Sequence, residues 1–225
     1  SLLFTGSNGF VGKNVIMELC EMDYDIVTLD RFNACINCDL SIEIPSFNSV
    51  FDIVIHAAGK AHTVPKTNQE KEQFYKVNLQ GTKNLCAAFE KKGIPKSFIF
   101  ISTVAVYGLD FGENITEKYP LKGIAPYALS KIQAENFLIA WCRKYNVILS
   151  IIRPSLIAGP NPPGNLGAMI KGIKSGKYLS ISAGKSRKSI LMVKDIANLI
   201  PTLAVNGGIF NVCDSEQPTF RDIEK

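Results

Sequence analysis

Leu2-Leu3-Phe4-Thr5-Gly6-Ser7-Asn8-Gly9-Phe10-Val11-Gly12 decides how this chain folds. Residues 2–5 are apolar enough for a short buried strand, and three glycines follow at intervals of three. From residue 10 to 22 the apolar side chains return at helical spacing, as Val11, Val15, Ile16, Leu19 and Met22. A strand that turns through glycines straight into a helix opens a β-α-β unit. Glycine permits the sharp turn, and the helix N-terminus offers free N–H groups and a positive dipole end. Gly6, Ser7, Asn8, Gly9, Phe10, Val11 and Gly12 are therefore the first candidates, as a cradle for the pyrophosphate of a dinucleotide. Their spacing is G-x-x-G-x-x-G, not the G-x-G-x-x-G of the basic fingerprint.

The same alternation continues outward. Strands are predicted over 25–29, 51–56, 97–102 and 147–152, and helices over 71–91 and 127–145. Short apolar strands alternating with helices imply a parallel sheet covered on both faces, an α/β fold of the Rossmann-type, doubly wound kind. After Arg153-Pro154 glycine and proline crowd into 159–167 and the elements shorten. A boundary is placed there: 1–152 as the dinucleotide-binding domain, 153–225 as a smaller and incomplete substrate-binding region. Residues 208–212 are expected to add a strand to the main sheet. Both ends read as trimmed, because a strand starts at the first residue and 219–225 opens a helix.

Composition narrows the function classes. The chain has 225 residues, 46% hydrophobic and 20% charged, which is ordinary for a globular protein. The net charge of +5 suits an anionic ligand, but Lys and Arg are scattered except at Lys91-Lys92 and around Lys185 to Lys188. No basic block is interleaved with aromatics, so no nucleic-acid partner is expected. No segment is apolar for long enough to span a membrane. Six cysteines at irregular positions point to reduced thiols and a cytoplasmic setting. Cys35-Ile36-Asn37-Cys38 is a lone C-x-x-C, read as a chance pair in a loop, and two histidines leave no His-rich metal site.

Asp30 stands at the end of the second strand. A carboxylate there accepts hydrogen bonds from an adenosine ribose 2′-OH and repels a 2′-phosphate, which favours NAD over NADP. Arg31 follows it and would tolerate the phosphate, so NADP stays open. Asp39-Leu40 contacts adenine or is a solvated turn.

The second decisive stretch is Pro126-Tyr127-Ala128-Leu129-Ser130-Lys131. Lys131 lies one helical turn beyond Tyr127, on the same face. A free tyrosine, with a pKa of about 10, is a poor base at neutral pH. A nearby ammonium favours the phenolate, so Lys131 is expected to lower the pKa of Tyr127. Ser102 and Thr103 end a strand, where ligands bind in open parallel sheets, and either hydroxyl could hold a substrate oxygen. Proton removal from a sugar hydroxyl, coupled to loss of hydride from its carbon, is the chemistry such a set performs.

Together these residues resemble the extended short-chain dehydrogenases/reductases, in particular the NAD-dependent nucleotide-sugar epimerase/dehydratase family. The likeness includes Gly6 to Gly12, Asp30, Asp39-Leu40, His56-Ala57-Ala58, Val77-Asn78-Leu79-Gln80-Gly81-Thr82, Phe98 to Gly108, Tyr127 with Lys131, and Arg153-Pro154. The resemblance implies Tyr127 as acid/base, Lys131 as its partner, Thr103 on the substrate, and Asn78 holding a water near the lysine. It implies that Ala57, Ala58, Gly59, Ile101, Pro154, Ser155 and Leu156 line the cofactor. Lys60, Asn165, Arg187 and Lys188 would reach the substrate, the last three at its diphosphate, with the Arg187/Lys188 register open by one residue. His62 would touch substrate or cap a loop. Val104-Ala105 stand where 4,6-dehydratases of the family carry Asp-Glu, which argues against water elimination. The implied activity is 4-epimerisation of a UDP-hexose by transient oxidation at C4. The alternatives are a 4-keto-sugar reductase consuming NADPH or NADH, and a non-catalytic dinucleotide-binding protein. A homodimer is implied as well, with 85–89 and 132–141 as apolar helix faces that would pair between subunits or pack inward.

Overall fold

The computed structural model describes residues 1–61, 63–178 and 186–223. Seven parallel strands form the main sheet in the order β3-β2-β1-β4-β5-β6-β9. They are β1 (Leu2–Thr5), β2 (Ile26–Asp30), β3 (Ile36–Asn37), β4 (Ile53–His56), β5 (Ser97–Ile101), β6 (Ile148–Pro154) and β9 (Gly208–Val212). A separate parallel pair joins β7 (Leu156–Ala158) to β8 (Ile190–Met192). The chain builds outward from β1 in one direction and then, from β4, in the other. Between β1 and β4 the strand order reverses, and at such a point an open α/β sheet leaves a crevice beyond its carboxyl ends.

Both faces are covered. One carries α3 (Gly81–Lys92) and α4 (Pro126–Tyr145), packed through Leu85, Phe89, Leu138 and Trp141 onto Phe98 and Phe100. The other carries α1 (Phe10–Glu21) and α6 (Asp195–Asn206), through Val15, Leu19, Ile196 and Ile200 onto Phe4, Ile55 and Ile99. Alternate strand residues feed the two clusters, Leu3 one and Phe4 the other, as the two-residue period requires. Leu85, Cys86, Ala88 and Phe89, and likewise Ala134, Leu138 and Trp141, are buried against the sheet, so these parts of the two apolar helix faces pack inward.

Three local readings need correction. The helix expected over 71–91 begins earlier, as α2 (Asn68–Tyr75), because the Thr67 hydroxyl accepts the Glu70 N–H and caps it. It is also not one α-helix. Lys76–Gln80 forms a π-turn before α3, with the Gly81 N–H reaching back to the Lys76 carbonyl. The C-x-x-C segment is not a loop: Ile36–Asn37 pairs with Leu29 and Asp30 as the edge strand. That leaves Cys35 exposed and Cys38 buried. α5 (Gly164–Lys174) and α7 (Phe220–Ile223) complete the helices named here. No described helix is long and apolar enough to cross a membrane.

Candidate functional site

The glycine turn lies at the sheet's crossover. Gly6 has φ +77, and a Cβ there would meet the Ala58 backbone nitrogen at 2.6 Å. Only glycine tolerates both the conformation and the approach. Gly12 is crowded likewise: a Cβ would fall 2.5 Å from the Gly6 carbonyl oxygen. No side chain caps the N-terminus of α1. Its first-turn N–H groups thus lack intrahelical partners and face the turn. Phe10 and Val11 open the helix with their side chains packed on the core.

A cleft of about 400 Å³ opens over this turn. It brings together Gly6, Asn8, Gly9, Asp30, Arg31, Asp39, Leu40, Ala57, Ala58, Gly59 and Lys60 from the sequence reading. It adds Phe32, Ser41 and Gln73, which no motif singled out, and Cys38 and Val77, which were quoted in motifs but given no role in the site. The Asp30 carboxylate accepts the Asn8 N–H at 2.8 Å and the Arg31 N–H at 2.7 Å, which fixes it at the cleft wall. Asp39 both lines the cleft and folds a turn, accepting from the Ser41 N–H and hydroxyl.

These residues fit a dinucleotide. The Ser7 hydroxyl, in the glycine turn, and the Ser155 hydroxyl, just past β6, are buried without a hydrogen-bond partner among the described residues. An acceptor-rich ligand would satisfy donors left this way. The Ser155 N–H is already engaged, with the Val212 carbonyl, while Pro154 is buried at the end of β6.

The catalytic candidates adjoin the cleft through Gly59. A Cβ on Gly59 would stand 3.2 Å from Asn78 Oδ1 and 3.3 Å from Lys131 Nζ. Asn78 is buried in the π-turn. Its side chain accepts the Lys60 N–H at 2.7 Å and donates to the Lys60 carbonyl and the Ser130 hydroxyl. Lys131 Nζ donates to the Ile101 carbonyl at 2.8 Å and lies 4.5 Å from the Phe100 ring centroid. Burial pulls the Lys131 ammonium down to about 8, against an opposing pull from Glu135.

Tyr127 lies near the Thr103 hydroxyl and packs near Phe74. Its phenol is pushed up by burial, and the Thr103 hydroxyl only partly offsets this. The expected depression by Lys131 is not what this geometry produces. The ammonium is aimed at Ile101, and desolvation is the stronger influence on the phenol.

Ser102 also departs from expectation. Its hydroxyl donates to buried Glu135, so it belongs to the interior and not to a substrate surface. Glu135 in turn holds Arg153 through two contacts, of 2.6 and 3.2 Å, and Arg153 Nη1 donates to the Tyr107 hydroxyl. Sequence reasoning passed over Glu135, although it lies four residues beyond Lys131 on the face of α4 that carries Tyr127. That helical spacing was the available signal.

Arg187 and Lys188 lie outside the cleft. Arg187 Nη1 donates to the Gln217 carbonyl and lines a separate groove with Glu216, Pro218 and Asp222. The Lys188 N–H bonds the Pro218 carbonyl. The cause is pairing: residue 187 bridges residue 219 in antiparallel fashion. Asn165 is exposed in the first turn of α5. His62 and Lys185 lie outside the described residues.

Residues 2–213 match the sequence profile described as the NAD dependent epimerase/dehydratase family. The chain is 34% identical over 215 residues to an Escherichia coli O157:H7 protein, the N-acetyl-alpha-D-glucosaminyl-diphospho-ditrans,octacis-undecaprenol 4-epimerase. That match covers 89% of this chain and 62% of the relative. It is 30% identical over 220 residues to the UDP-glucose 4-epimerase of Vibrio cholerae, covering 90% and 66%. The chain thus spans less than two thirds of either relative. The solved structure of RMD from Pseudomonas aeruginosa complexed with NADPH superposes with a TM-score of 0.79 at 26% identity, over 99% of this chain and 81% of the other. With the doubly wound sheet, the glycine cradle and this match, the chain belongs to the NAD-dependent epimerase/dehydratase family of extended short-chain dehydrogenases/reductases.

Proposed function

We propose that this chain carries the catalytic machinery of a 4-epimerase acting on a diphosphate-linked hexose of the UDP-hexose type. The observation that carries the reading is Tyr127, near the Thr103 hydroxyl and one turn from Lys131, with Lys131 adjoining the cleft over the glycine turn at Gly59. Two relatives named as 4-epimerases support it, one acting on a polyprenyl diphosphate sugar and one on UDP-glucose. Both substrates are hexoses on a diphosphate.

Gly6, Ser7, Gly9, Asp30 and Ala58 would hold NAD, which when bound would supply reversible hydride exchange at C4. The chain's own residues handle the proton. The Thr103 hydroxyl orients the C4 oxygen, and Tyr127 Oη takes its proton as the carbonyl forms. Lys131 Nζ is held by the Ile101 carbonyl beside Gly59, where it would reach the cofactor, and the positive nicotinamide of bound NAD+ would favour the phenolate. The 4-keto sugar then turns over so that the opposite face of C4 would receive the hydride, and Tyr127 gives the proton back to the C4 oxygen. Asn78 holds the Lys60 backbone beside Gly59 and so keeps the cleft wall at a fixed distance from Lys131. The cycle has no net redox change, so cofactor remains bound between turnovers. Val104-Ala105, in the turn after Thr103, offer no carboxyl for eliminating water.

A 4-keto-sugar reductase is the second reading, favoured by Arg31 at the cleft wall and by NADPH in the Pseudomonas structure. One experiment separates them. Full-length protein is purified and denatured and the released nucleotide identified; C4 interconversion of UDP-hexoses and polyprenyl diphosphate hexoses is then assayed without added cofactor. Retained NAD with interconversion is expected, and Tyr127→Phe should slow it by about 100- to 10,000-fold while keeping the nucleotide. An empty protein preferring NADPH supports the reductase. Full activity in Tyr127→Phe overturns the mechanism.

A further inference from the structure

His56 ends β4 fully buried, and the chemistry above makes no use of it. The register of β1 against β4 sets it beside Thr5, and its Nδ1 lies 2.7 Å from the Thr5 hydroxyl. Its Nε2 lies 2.9 Å from the Thr82 hydroxyl on α3. The Thr82 hydroxyl donates to the Asn78 carbonyl at 2.7 Å. A hydroxyl has one proton to donate. Thr82 therefore accepts from His56, which puts the ring proton on Nε2. Nδ1 is then the acceptor for the Thr5 hydroxyl, and Thr5 Oγ1 accepts the Ala58 N–H at 3.3 Å. Every donor finds one acceptor, in a single direction from Ala58 to Asn78.

We propose that His56, with its ring proton on Nε2, is a positioning residue that ties the cofactor cradle at Thr5 and Ala58 to Asn78, and through Asn78 to the wall beside Lys131. The π-turn gives this link its purpose. Backbone bonding there runs one residue further back than in an α-helix, as in the Gly81-to-Lys76 bond, and the Asn78 carbonyl is met by the Thr82 hydroxyl. His56 orients that hydroxyl. Burial keeps the ring neutral, and the Lys131 charge adds to the effect, drawing its pKa to about 3. The two ring nitrogens thus serve two sites: Nδ1 the cofactor turn, Nε2 the residue that spaces Lys60 from Lys131.

The catalytic half of this inference rests on the proposed 4-epimerase reading; the tautomer and the cofactor half do not. The first measurement is ¹⁵N NMR of the full-length protein between pH 6 and 9, with His56→Gln identifying the resonance. An Nε2–H tautomer that does not titrate is expected; an Nδ1–H tautomer, or a titrating ring, overturns the proposal. Two variants then split the functions. His56→Asn keeps an acceptor near Thr5 and loses the donor to Thr82. NAD affinity should stay within about threefold and kcat should fall about tenfold or more. His56→Gln reaches Thr82 with an amide N–H and leaves Thr5 unsatisfied. NAD affinity should weaken about tenfold, with kcat at saturating cofactor within about threefold. Equal effects of both variants on both quantities, or none, would refute a positioning role. If wild type turns over no sugar, the epimerase reading fails while the NMR and NAD-binding results still judge His56.

Discussion

Replacing Lys131 with Met should change how stability depends on pH, by an amount the structure sets. Lys131 is 4% exposed, and burial lowers its ammonium from the ordinary 10.5 to about 8. Between those two values the unfolded chain binds more protons at this residue than the folded one. Stability therefore rises with pH there. Below pH 8 both states hold the proton and the whole desolvation penalty is present, roughly 3 kcal/mol for a shift of this size. As pH climbs the folded lysine gives up its proton and the penalty lifts. The relief is about 1.4 kcal/mol at pH 9 and about 2.5 kcal/mol at pH 10. Methionine fills similar space without a titrating group. Urea denaturation of wild type and Lys131→Met at pH 7, 9 and 10 reads the difference directly, since the other lysines and tyrosines are common to both. Loss of the Ile101 bond and the Phe100 contact sets the offset at pH 7 but not the slope. Wild type should gain on the variant by about 2.5 kcal/mol from pH 7 to 10. A pH-independent difference, or a wild type that loses ground, would refute the buried-ammonium argument.

Gly6→Ala should destabilise by about 1–3 kcal/mol through left-handed backbone strain, and more as the Ala58 backbone is pushed away; a thermal melt and NAD titration check this. Arg153→Met leaves Glu135 buried without its cation and should cost about 3–5 kcal/mol in chemical denaturation. Arg153→Met with Glu135→Met should recover much of that loss, because both charges are then gone. Asp30→Ala removes the carboxylate that repels a 2′-phosphate, while Arg31 remains. The ratio of NADPH to NADH affinity, measured by fluorescence titration, should rise about tenfold or more.

What could be read from the chain was local. Leu2 to Gly12 betrays a strand, a turn and a helix within eleven residues, because apolar period and glycine placement act over one or two turns. Tyr127 and Lys131 share a helix face for the same reason. The strands of the main sheet were legible as apolar runs, except for two-residue β3, which has too little apolar sequence to register. The π-turn escaped as well, since the amphipathic pattern passes through Lys76 to Gln80 with no break.

The sequence by itself determined the fold class, the glycine turn between the first strand and helix, and the placement of Tyr127 and Lys131 on one helix face. Only tertiary structure decided how those groups behave. Ser102 and Thr103 are neighbours of like chemistry, yet one donates to buried Glu135 and the other accepts the Ala105 N–H and lies near Tyr127. Arg187 reads as a partner for the substrate's diphosphate, yet residue 187 bridges residue 219 and its Nη1 donates to the Gln217 carbonyl. His56 joins residues 51 and 26 positions away, and its tautomer follows from both together. Strand register and helix packing set these contacts, and both depend on the whole chain closing its core. Burial then sets the charge, drawing Lys131 to about 8 and pushing Tyr127 up in a way that residue spacing alone does not encode.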